Sequence, residues 1–359
     1  MFQFLIMVRP LGLLYGSSGA FLSPENLVGR SGAKFPPDAA TLSGLVLSTN
    51  REKPFTDHQE LKINLTIAGA FWARDEDFQY GNQDFYVPIP RSLILDEDKT
   101  DQWEIQDGKW HRSKKDDDIK SAYSWQTIST WGKSANYIRE GCIPKNGNPK
   151  LPWEFVPMLH PTLDPDQRRV RIPTDENDRG SLFLENAVQM QEGSFLVYLS
   201  NYKIPDGWYR FGGENHLVEI TTQNINSGIL EILNKPIERQ FALICTAVWG
   251  TNNLSFRYPK DASFSNKRPE MLTDRPVTFR PRTVKSNNKN QRTNALSIGR
   301  YAVPAGTVYV VKHPLNMTWW DFPSNWFPQS NNSLPIDQRP LPLKHLGCGL
   351  CLPIEIKGA

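Results

Sequence analysis

The sequence predicts an α+β fold of two related halves, with a long irregular insertion between them. Its 359 residues are enough for two domains of ordinary size. The 28 prolines and 11 tryptophans favour short strands and ordered loops over helical bundles. Apolar runs of strand length recur in both halves, whereas the middle is charged and broken by proline. We therefore divide the chain into residues 1–95, 96–179 and 180–359.

The first unit begins with a strand, Phe2 to Val8, followed by a glycine-containing loop and a helix. Asp38 is placed to cap that helix. Three apolar residues then recur at the spacing of one buried helix face: Leu42, Leu45 and Val46. Strand, loop and helix are the first step of a ferredoxin-like fold. Runs at 63–72 and 84–95 are rich in β-branched and aromatic residues and predict further strands.

Residues 96–179 show no regular apolar pattern, so we expect an irregular insertion that follows the surface. The second unit then opens with two strand-like runs that predict a hairpin turning at Gln191-Glu192-Gly193. A second strand pair is predicted around Pro304-Ala305-Gly306. A glycine-containing loop and a terminal strand end the chain.

A glycine-rich stretch of the second unit combines features suited to RNA. Gly212 and Gly213 can adopt positive φ and bring bare backbone amides close to a phosphate or ribose. Arg210 would supply charge, and Tyr209 and Phe211 could stack on the bases of single-stranded RNA. A plain turn between two strands explains the same residues, so this stretch alone decides nothing.

The distribution of charge along the sequence is more informative than the net charge. The formal net charge of +3 is too small to indicate nucleic-acid binding. One long segment, however, contains no acid, and all its charged residues are basic: Arg275, Arg280, Arg282, Lys285, Lys289, Arg292, Arg300 and Lys312. Asn, Gln, Ser and Thr lie between them and suit phosphate and ribose. The segment predicts salt-dependent contact with nucleic acid, and a solvated basic face is the alternative.

Several kinds of site are not expected. Cys348 and Cys351 form a C-x-x-C pair beside His345, but Cys142 and Cys245 have no spacing partner, so we expect no metal, redox site or cofactor. No catalytic motif is present and the histidines are dispersed, so no catalytic residue is expected. No run approaches the roughly 20 apolar residues of a membrane-spanning helix. A soluble protein of the reducing cytoplasm follows.

Three segments resemble a known family. Residues 9–48, RPLGLLYGSSGAFLSPENLVGRSGAKFPPDAATLSGLVLS, resemble the N-terminal signature of the third subunit of the type III-B CRISPR Cmr complex, of the RAMP superfamily. GWYRFGGENHLVEI is similar to the Gly-Gly-Glu segment of that family, and RYAVPAGTVYVV with HLGCGL is similar to its closing pattern. Residues 96–179 show no such resemblance.

The resemblance implies tandem ferredoxin-like (RAMP/RRM-like) domains and a non-catalytic subunit that caps the repeat-derived 5′ handle of the crRNA. It also implies a hetero-oligomeric ribonucleoprotein for antiviral defence, in which the chain contacts the large polymerase-like subunit and a backbone RAMP subunit. With the motifs above, it predicts RNA contacts at these residues: Arg30, Lys34, Tyr209, Arg210, Phe211, Gly212, Gly213, Arg280, Arg282, Lys285, Arg292, Lys344, His345, Gly347 and Gly349. Relatives often carry a charged loop after the first strand, where this chain has uncharged residues 16–21.

Two other functions fit the sequence. A RAMP endoribonuclease that processes precursor crRNA would use His216, near the glycine pair, as general acid or base. A scaffold subunit with little RNA contact would dock a partner through residues 96–179.

Overall fold

The computed structural model describes residues 1–15, 35–114, 116, 118–142, 151–161, 169–170, 182–212, 215–265, 270–284, 294–329 and 339–359. Its helices are α1 Ala39–Glu52, α2 His58–Asn64, α3 Ala135–Cys142, α4 Ser227–Leu233 and α5 Ala262–Ser265. Short 3₁₀ helices occur at Asp75–Gly81, Ile128–Thr130, Trp319–Asp321, Ser324–Trp326 and Leu343–Leu346. Among the described residues, no helix has the length and apolar character needed to cross a bilayer.

The strands of the first 224 residues, in chain order, are β1 Phe4–Pro10, β2 Leu14–Tyr15, β3 Ile67–Arg74, β4 Tyr86–Pro88, β5 Leu93–Leu95, β6 Thr100–Gln106, β7 Lys109–Arg112, β8 Trp125–Thr127, β9 Trp153–Pro161, β10 Leu182–Met190, β11 Ser194–Ser200, β12 Gly207–Phe211 and β13 His216–Asn224. Those of the remainder are β14 Gln240–Leu243, β15 Trp249–Gly250, β16 Ser255–Phe256, β17 Glu270–Leu272, β18 Val277–Phe279, β19 Arg282–Val284, β20 Asn294–Leu296, β21 Arg300–Ala302, β22 Val308–Val310 and β23 Cys351–Pro353.

Seven strands form the largest sheet, in the order β12-β13-β1-β11-β3-β4-β8. Its central part, β13-β1-β11-β3, has the 4-1-3-2 order of a ferredoxin-like sheet, and each neighbouring pair is antiparallel. Helix α1 lies in the connection from β1 to β3, as in the first half of that fold. Between β11 and β13, where that fold has its second helix, this chain has a loop and strand β12. The predicted α+β class is confirmed.

The boundary predicted at residue 180 does not separate two sheets. Strands β11, β12 and β13 lie beyond it in the chain but belong to the sheet of β1, where Leu5 pairs with both Leu199 and Gln223. This sheet is complete only at Asn224, so we call residues 1–224 the N-terminal unit and 225–359 the C-terminal unit. The hairpin predicted at residues 191–193 is also wrong, because β10 pairs with β9 and β2 while β11 pairs with β1 and β3.

The prediction that residues 96–179 are largely irregular is wrong for their described part. Strands β5, β6 and β7 form an antiparallel sheet, and β9 forms a long ribbon with β10. Tyr123 shares a small hydrophobic core beside that sheet with Ile138, which lies in α3. Some of the charges are internal, since the buried Asp101 accepts a hydrogen bond from Arg112 Nε at 2.8 Å. Short strands and paired charges hide the apolar pattern in the sequence.

The largest sheet is buried on both faces. Ile6 and Tyr198 on one face pack against α1, whose predicted apolar residues are all buried: Leu42, Leu45 and Val46. Met7 and Val197 on the other face share a core with the C-terminal unit. Helix α1 begins after Asp38 as predicted, but the Asp38 side chain makes no capping hydrogen bond. The two units are therefore joined through a continuous apolar core.

The C-terminal unit is built on a four-stranded sheet, β17-β22-β14-β23. The predicted terminal strand is confirmed as β23, which pairs with β14. The strand pair predicted around residues 304–306 is wrong, because β21 pairs with β18 whereas β22 pairs with β14 and β17. That turn therefore carries the chain from one sheet to another.

Candidate nucleic-acid interface

A cleft of about 420 Å³ opens between the N-terminal and C-terminal units. The N-terminal unit contributes Phe35 and Asp38 at the approach to α1, Gly69 of β3 and Trp125 of β8. The C-terminal unit contributes residues 244–246 and 277–278. Because both units supply walls, the cleft exists only when they are packed together.

Gly69 lets the backbone form the surface of this cleft. The β3–β11 register shifts beside it, between Val197 and Leu199, and its φ is 128°. A β-carbon at this position would lie 3.1 Å from the Tyr198 ring and 3.1 Å from the carbonyl oxygen of Val197. The residue type is therefore set by the close approach of two strands, which leaves bare backbone facing the cleft.

An aromatic cluster holds two rings of the cleft in place. Trp153 meets Phe35 edge-on with ring centroids 5.1 Å apart, and it meets Trp125 edge-on at 6.3 Å. Trp72 lies 6.4 Å from Trp125 and stacks flat on Tyr86 at 3.7 Å. Edge-to-face and stacked pairs of this kind stabilise defined ring orientations. The cleft therefore presents aromatic surface that is fixed before any ligand arrives.

The electrostatics of the cleft are set by Asp38. Burial raises the pKa of the Cys245 thiol to about 12, and the nearby Asp38 carboxylate adds to the effect. Burial also raises the pKa of Tyr198, again with a contribution from Asp38. The Tyr198 hydroxyl donates to the Pro37 carbonyl at 2.7 Å, which fixes the approach to α1. Thiol and phenol are neutral, and Asp38 is the charged residue among the described residues that line the cleft.

Two segments with predicted RNA-binding cations connect to this cleft. Residues 16–34 rejoin the described chain at Phe35, in its wall. The acid-free segment leaves the body at residues 277–278, also in its wall, and forms a ribbon in which β18 pairs with β21 and β19 with β20. Five predicted contacts lie outside the described residues: Arg30, Lys34, Gly213, Lys285 and Arg292. Arg282 is the first residue of β19 and pairs with Leu296 of β20.

Two other cations of the acid-free segment bond to backbone carbonyls, one across the ribbon and one outside it. Arg280 Nε donates to the carbonyl of Ser297 on the opposite side, at 2.9 Å. Arg300 donates through Nη1 to the Thr251 carbonyl at 2.9 Å and through Nη2 to the Asn252 carbonyl, and burial lowers its pKa. The predicted role of Arg280 in RNA binding therefore competes with a structural one.

Both predicted stacking residues lie on the core-facing side of the edge strand β12. Phe211 is 1% exposed and packs in the core beside α1, so the prediction that its ring stacks on RNA is wrong for this conformation. Tyr209 lies on the same side and donates its hydroxyl to the Pro205 carbonyl at 2.5 Å. The opposite side carries Arg210, which is exposed, and Trp208, which is 71% exposed. Trp208 was missed, although the strict alternation of a strand predicts its orientation once Phe211 is buried.

The turn after β12 does leave backbone accessible. Gly212 has a φ of 75°, and a β-carbon added to it would meet nothing within 4 Å. The amide of Leu11, just past β1, donates to the Leu217 carbonyl at 3.1 Å. The turn therefore lies beside the end of β1 from which the chain leads into residues 16–34. His216 opens β13 opposite Phe211 and is half-buried.

Two of the residues predicted to contact RNA near the C-terminus have structural surroundings in the protein itself. The Lys344 ammonium donates to the carbonyls of Trp320 and Phe322 at 2.6 and 2.7 Å, and burial lowers its pKa. His345 is half-buried, and burial lowers its pKa as well. Both side chains are held in the packing of the C-terminal segment.

Gly347 and Gly349 are buried and face the protein interior. The first approaches Ala68 of β3, and the second approaches the Trp249 indole. Gly347 therefore packs against the N-terminal unit and Gly349 within the C-terminal unit, where RNA contacts were predicted. Cys348 and Cys351 are buried free thiols of the same segment. Within the described residues, no three His, Cys, Asp or Glu side chains are grouped as metal ligands.

No protein-family model and no curated protein matches the sequence. Solved structures with a similar course of the backbone come from type III CRISPR systems. One is a chain of the type III-B Cmr-beta complex bound to cognate target RNA and AMPPnP, with 12% identity, a TM-score of 0.48 and coverage of 85% of this chain and 86% of that one. A chain of a Csm1-Csm4 cassette with AMPPNP has 11% identity, a TM-score of 0.43 and 99% coverage of both chains. A chain of the Csm3-Csm4 subcomplex of the type III-A interference complex has 10% identity, a TM-score of 0.39 and coverage of 94% and 98%.

Proposed function

We propose that this chain is a non-catalytic crRNA-binding subunit of a type III CRISPR effector complex, and that it caps the repeat-derived 5′ handle of the guide. One observation carries the proposal. The cation-bearing segments at residues 16–34 and 277–302 join the body at the walls of one cleft, which also has fixed aromatic rings and bare backbone. The sequence resemblance at residues 9–48 supports the identity of the RNA.

In the proposed binding mode, cations contact the phosphates of the RNA, and exposed aromatic side chains and backbone contact its bases and sugars. Phosphates contact the cations of residues 16–34 and of the ribbon, which gives affinity without sequence preference. Bases of a single strand stack on exposed aromatic side chains, for which Trp208 beside Arg210 is suited. Gly212 is exposed and has open space at the position of a β-carbon, so a phosphate or ribose can approach the backbone there.

Contacts with a large polymerase-like subunit and a backbone RAMP subunit are part of the same proposal. Phe155 and Leu159 on β9 are 44% and 62% exposed, two apolar side chains on one side of a long ribbon. Together these two side chains offer apolar area that a partner protein can cover. We assign β9 to protein contact inside the complex.

The proposal is tested on the complex purified through a tag on this chain, with the co-purifying RNA sequenced and resynthesised. Replacing Arg282, Lys285 and Arg292 with Ala should weaken filter binding of that RNA. It should also reduce the slope of log affinity against log salt by about 2, from roughly 0.7 per phosphate contact. The matched control replaces the exposed Lys109, Lys120 and Lys133, which removes the same charge elsewhere. Equal effects of the two triple variants would contradict the ribbon assignment.

The absence of catalysis is tested with precursor RNA that contains the repeat. We expect no strand cleavage by the complex, because the proposed contacts bind phosphates and bases without placing an acid and a base on one ribose. Cleavage that disappears in His216→Ala would replace the proposal with an endoribonuclease.

A further inference from the structure

One edge of the largest sheet is formed by β12. This strand pairs with β13 on one side, and no strand among the described residues pairs with its other side. Two of its side chains point into solvent on one face, Trp208 at 71% exposure and Arg210 beside it. The unpaired backbone groups of an edge strand can pair with a further strand.

The backbone groups at this edge are those of Trp208 and Arg210. Successive residues of an antiparallel strand direct their N–H and C=O groups to opposite sides. The Leu217 carbonyl accepts a hydrogen bond at 3.1 Å from the first residue after β1, so Leu217 faces β1. Val218 therefore faces β12, where it pairs with Tyr209. The groups of the two residues beside Tyr209 then point away from β13, to the open edge.

The open edge of β9 is built differently. The Gln191 amide donates to the Pro152 carbonyl at 2.8 Å, so Pro152 faces β10. By the same alternation, Pro157 and Pro161 lie at positions that face the open edge of β9. Proline has no N–H to donate, and at such positions it protects an edge from strand addition. Strand β12 contains no proline and lacks that protection.

The sequence of β12 is complementary to a second copy of itself. Trp208 and Arg210 are symmetric about Tyr209, so an antiparallel copy centred there places each tryptophan opposite the arginine of the other copy. The backbone groups of the same two residues point outward, so both pairs can be hydrogen-bonded. A guanidinium over the face of an indole ring is attracted to it.

Other pairings fit β12 less well. A register centred on Arg210 would place two guanidinium groups opposite each other, which is destabilising. A register centred on Trp208 would require Asp206, which precedes β12 and whose carboxylate accepts from the Thr222 amide at 2.9 Å. A strand of another protein would use the same backbone groups, but it would need its own complement to both side chains.

We infer that two copies of the chain outside the effector complex pair through β12, antiparallel about a two-fold axis at Tyr209. The two largest sheets become continuous, and each Trp208 is covered by Arg210 of the other copy. The proposed function assigns the same two side chains to RNA, so the guide RNA should separate the copies; this second statement rests on that function. The pairing covers an open edge for as long as the chain holds no RNA.

Sedimentation equilibrium of the purified, RNA-free chain measures the pairing. The interface is small, so we expect a dissociation constant of roughly 1 to 100 µM. Trp208→Pro should abolish the dimer and keep the fold, since the N–H that it removes faces solvent. Arg210→Glu should weaken the dimer about fivefold or more, through loss of the cation–π contacts. The matched control is Lys109→Glu on β7, the same charge change at another exposed position, which should leave association unchanged.

A cysteine at the two-fold axis tests the register. Tyr209 would face its counterpart in a non-hydrogen-bonded pair, with α-carbons about 4.5 Å apart, which is within the range of a disulfide. Tyr209→Cys should therefore give a covalent dimer on mild oxidation. Leu217→Cys, on β13 and 48% exposed, should not. The unaltered chain, whose four cysteines are free thiols, gives the background.

A chain that stays monomeric up to about 100 µM would overturn the inference. So would a dimer that Trp208→Pro leaves unchanged, or one that Tyr209→Cys does not link. None of these results affects the proposed function, which is tested by the RNA of the tagged complex. Adding that RNA should dissociate the dimer. A dimer that binds the RNA and stays intact would overturn the release by RNA, whereas a dimer that binds none of it would contradict the proposed function.

Discussion

A β-carbon added to Gly347 would lie 2.6 Å from both Cα and Cβ of Ala68, so the C-terminal segment touches β3 with no side chain between them. Gly347 has a φ of 71° and follows the 3₁₀ helix at Leu343–Leu346. Its residue type is therefore constrained twice, by backbone conformation and by the space available. This contact is one of the places where the two units of the protein meet.

We expect Gly347→Ala to lower the free energy of unfolding by about 2 to 4 kcal/mol, through the steric conflict with Ala68 and the left-handed backbone. Urea denaturation measures it. Gly44→Ala is the control, since Gly44 lies inside α1 with nothing within 4 Å of an added β-carbon. That change should stabilise the protein by about 0.5 to 1 kcal/mol. Equal behaviour of the two variants would show that the contact with β3 is absent.

The alternation along β12 predicts opposite effects for neighbouring aromatic residues. Phe211→Ala should cost about 3 to 5 kcal/mol of stability, because it leaves a cavity beside α1. Trp208→Ala should change stability by less than about 0.5 kcal/mol, since its ring is in solvent. If Trp208 stacks on RNA, its removal should weaken RNA binding roughly fivefold or more, measured by filter binding on the complex. Unchanged RNA affinity for Trp208→Ala would remove this residue from the interface.

The paired strands β18 and β21 should open more often when the hydrogen bonds of Arg300 are removed. Arg300→Ala removes hydrogen bonds to the carbonyls of Thr251 and Asn252, each to a charged donor. We expect faster hydrogen exchange of the β18 and β21 amides, roughly tenfold, with little change in the largest sheet. The control is Lys312→Ala, an exposed cation just after β22. Protection in β18 that is the same in both variants would argue against an anchoring role.

Asp77 makes stability depend on pH in a defined direction. Burial raises its pKa from 3.8 to about 6, the Arg74 amide that donates to it at 2.7 Å opposes this, and Asp84 adds to it. Since the folded state holds the proton more tightly than the unfolded state, this group stabilises the protein below about pH 4. That contribution is lost as the pH rises through about 6.

The loss through Asp77 should amount to about 1 to 2 kcal/mol, after allowance for the solvent that reaches this half-buried group. Urea denaturation at about pH 4 and about pH 7 measures it. Asp77→Asn, which cannot titrate, should show a correspondingly smaller difference between the two conditions. The exposed Asp57→Asn serves as control. A pH dependence unaltered in Asp77→Asn would assign the effect to other groups.

Local patterns predicted the local elements of the fold. The apolar spacing in α1 and the runs of β1 and β23 were sufficient, because each depends on residues a few positions apart. Pairing partners were not predictable in the same way. The sequence around residue 192 has every feature of a hairpin, yet its two strands belong to different sheets, a choice made by contacts with distant strands.

For the candidate site, the sequence indicated the types of residue but not how the fold arranges them. The glycine turn predicted at Gly212 is present, whereas the paired strands of the acid-free segment were not predicted. Lys344 was expected at the surface, as lysines usually are, but its ammonium binds two carbonyls of the same unit. The cleft itself could not be predicted, because residues 35–38, 69–70, 125 and 244–246 are brought together only by the packing of the two units.

The position of β1 also has a consequence for synthesis of the chain. Both neighbours of this strand, β11 and β13, are synthesised much later than β1, since Phe4 pairs with Ser200 and Asn224. Until Ser200 has emerged the apolar β1 has no partner strand, and until Asn224 has emerged one of its edges stays unpaired. Unpaired strand edges are prone to aggregation. Nascent chains arrested before this point should therefore be held by chaperones, whereas chains arrested beyond it can close the sheet.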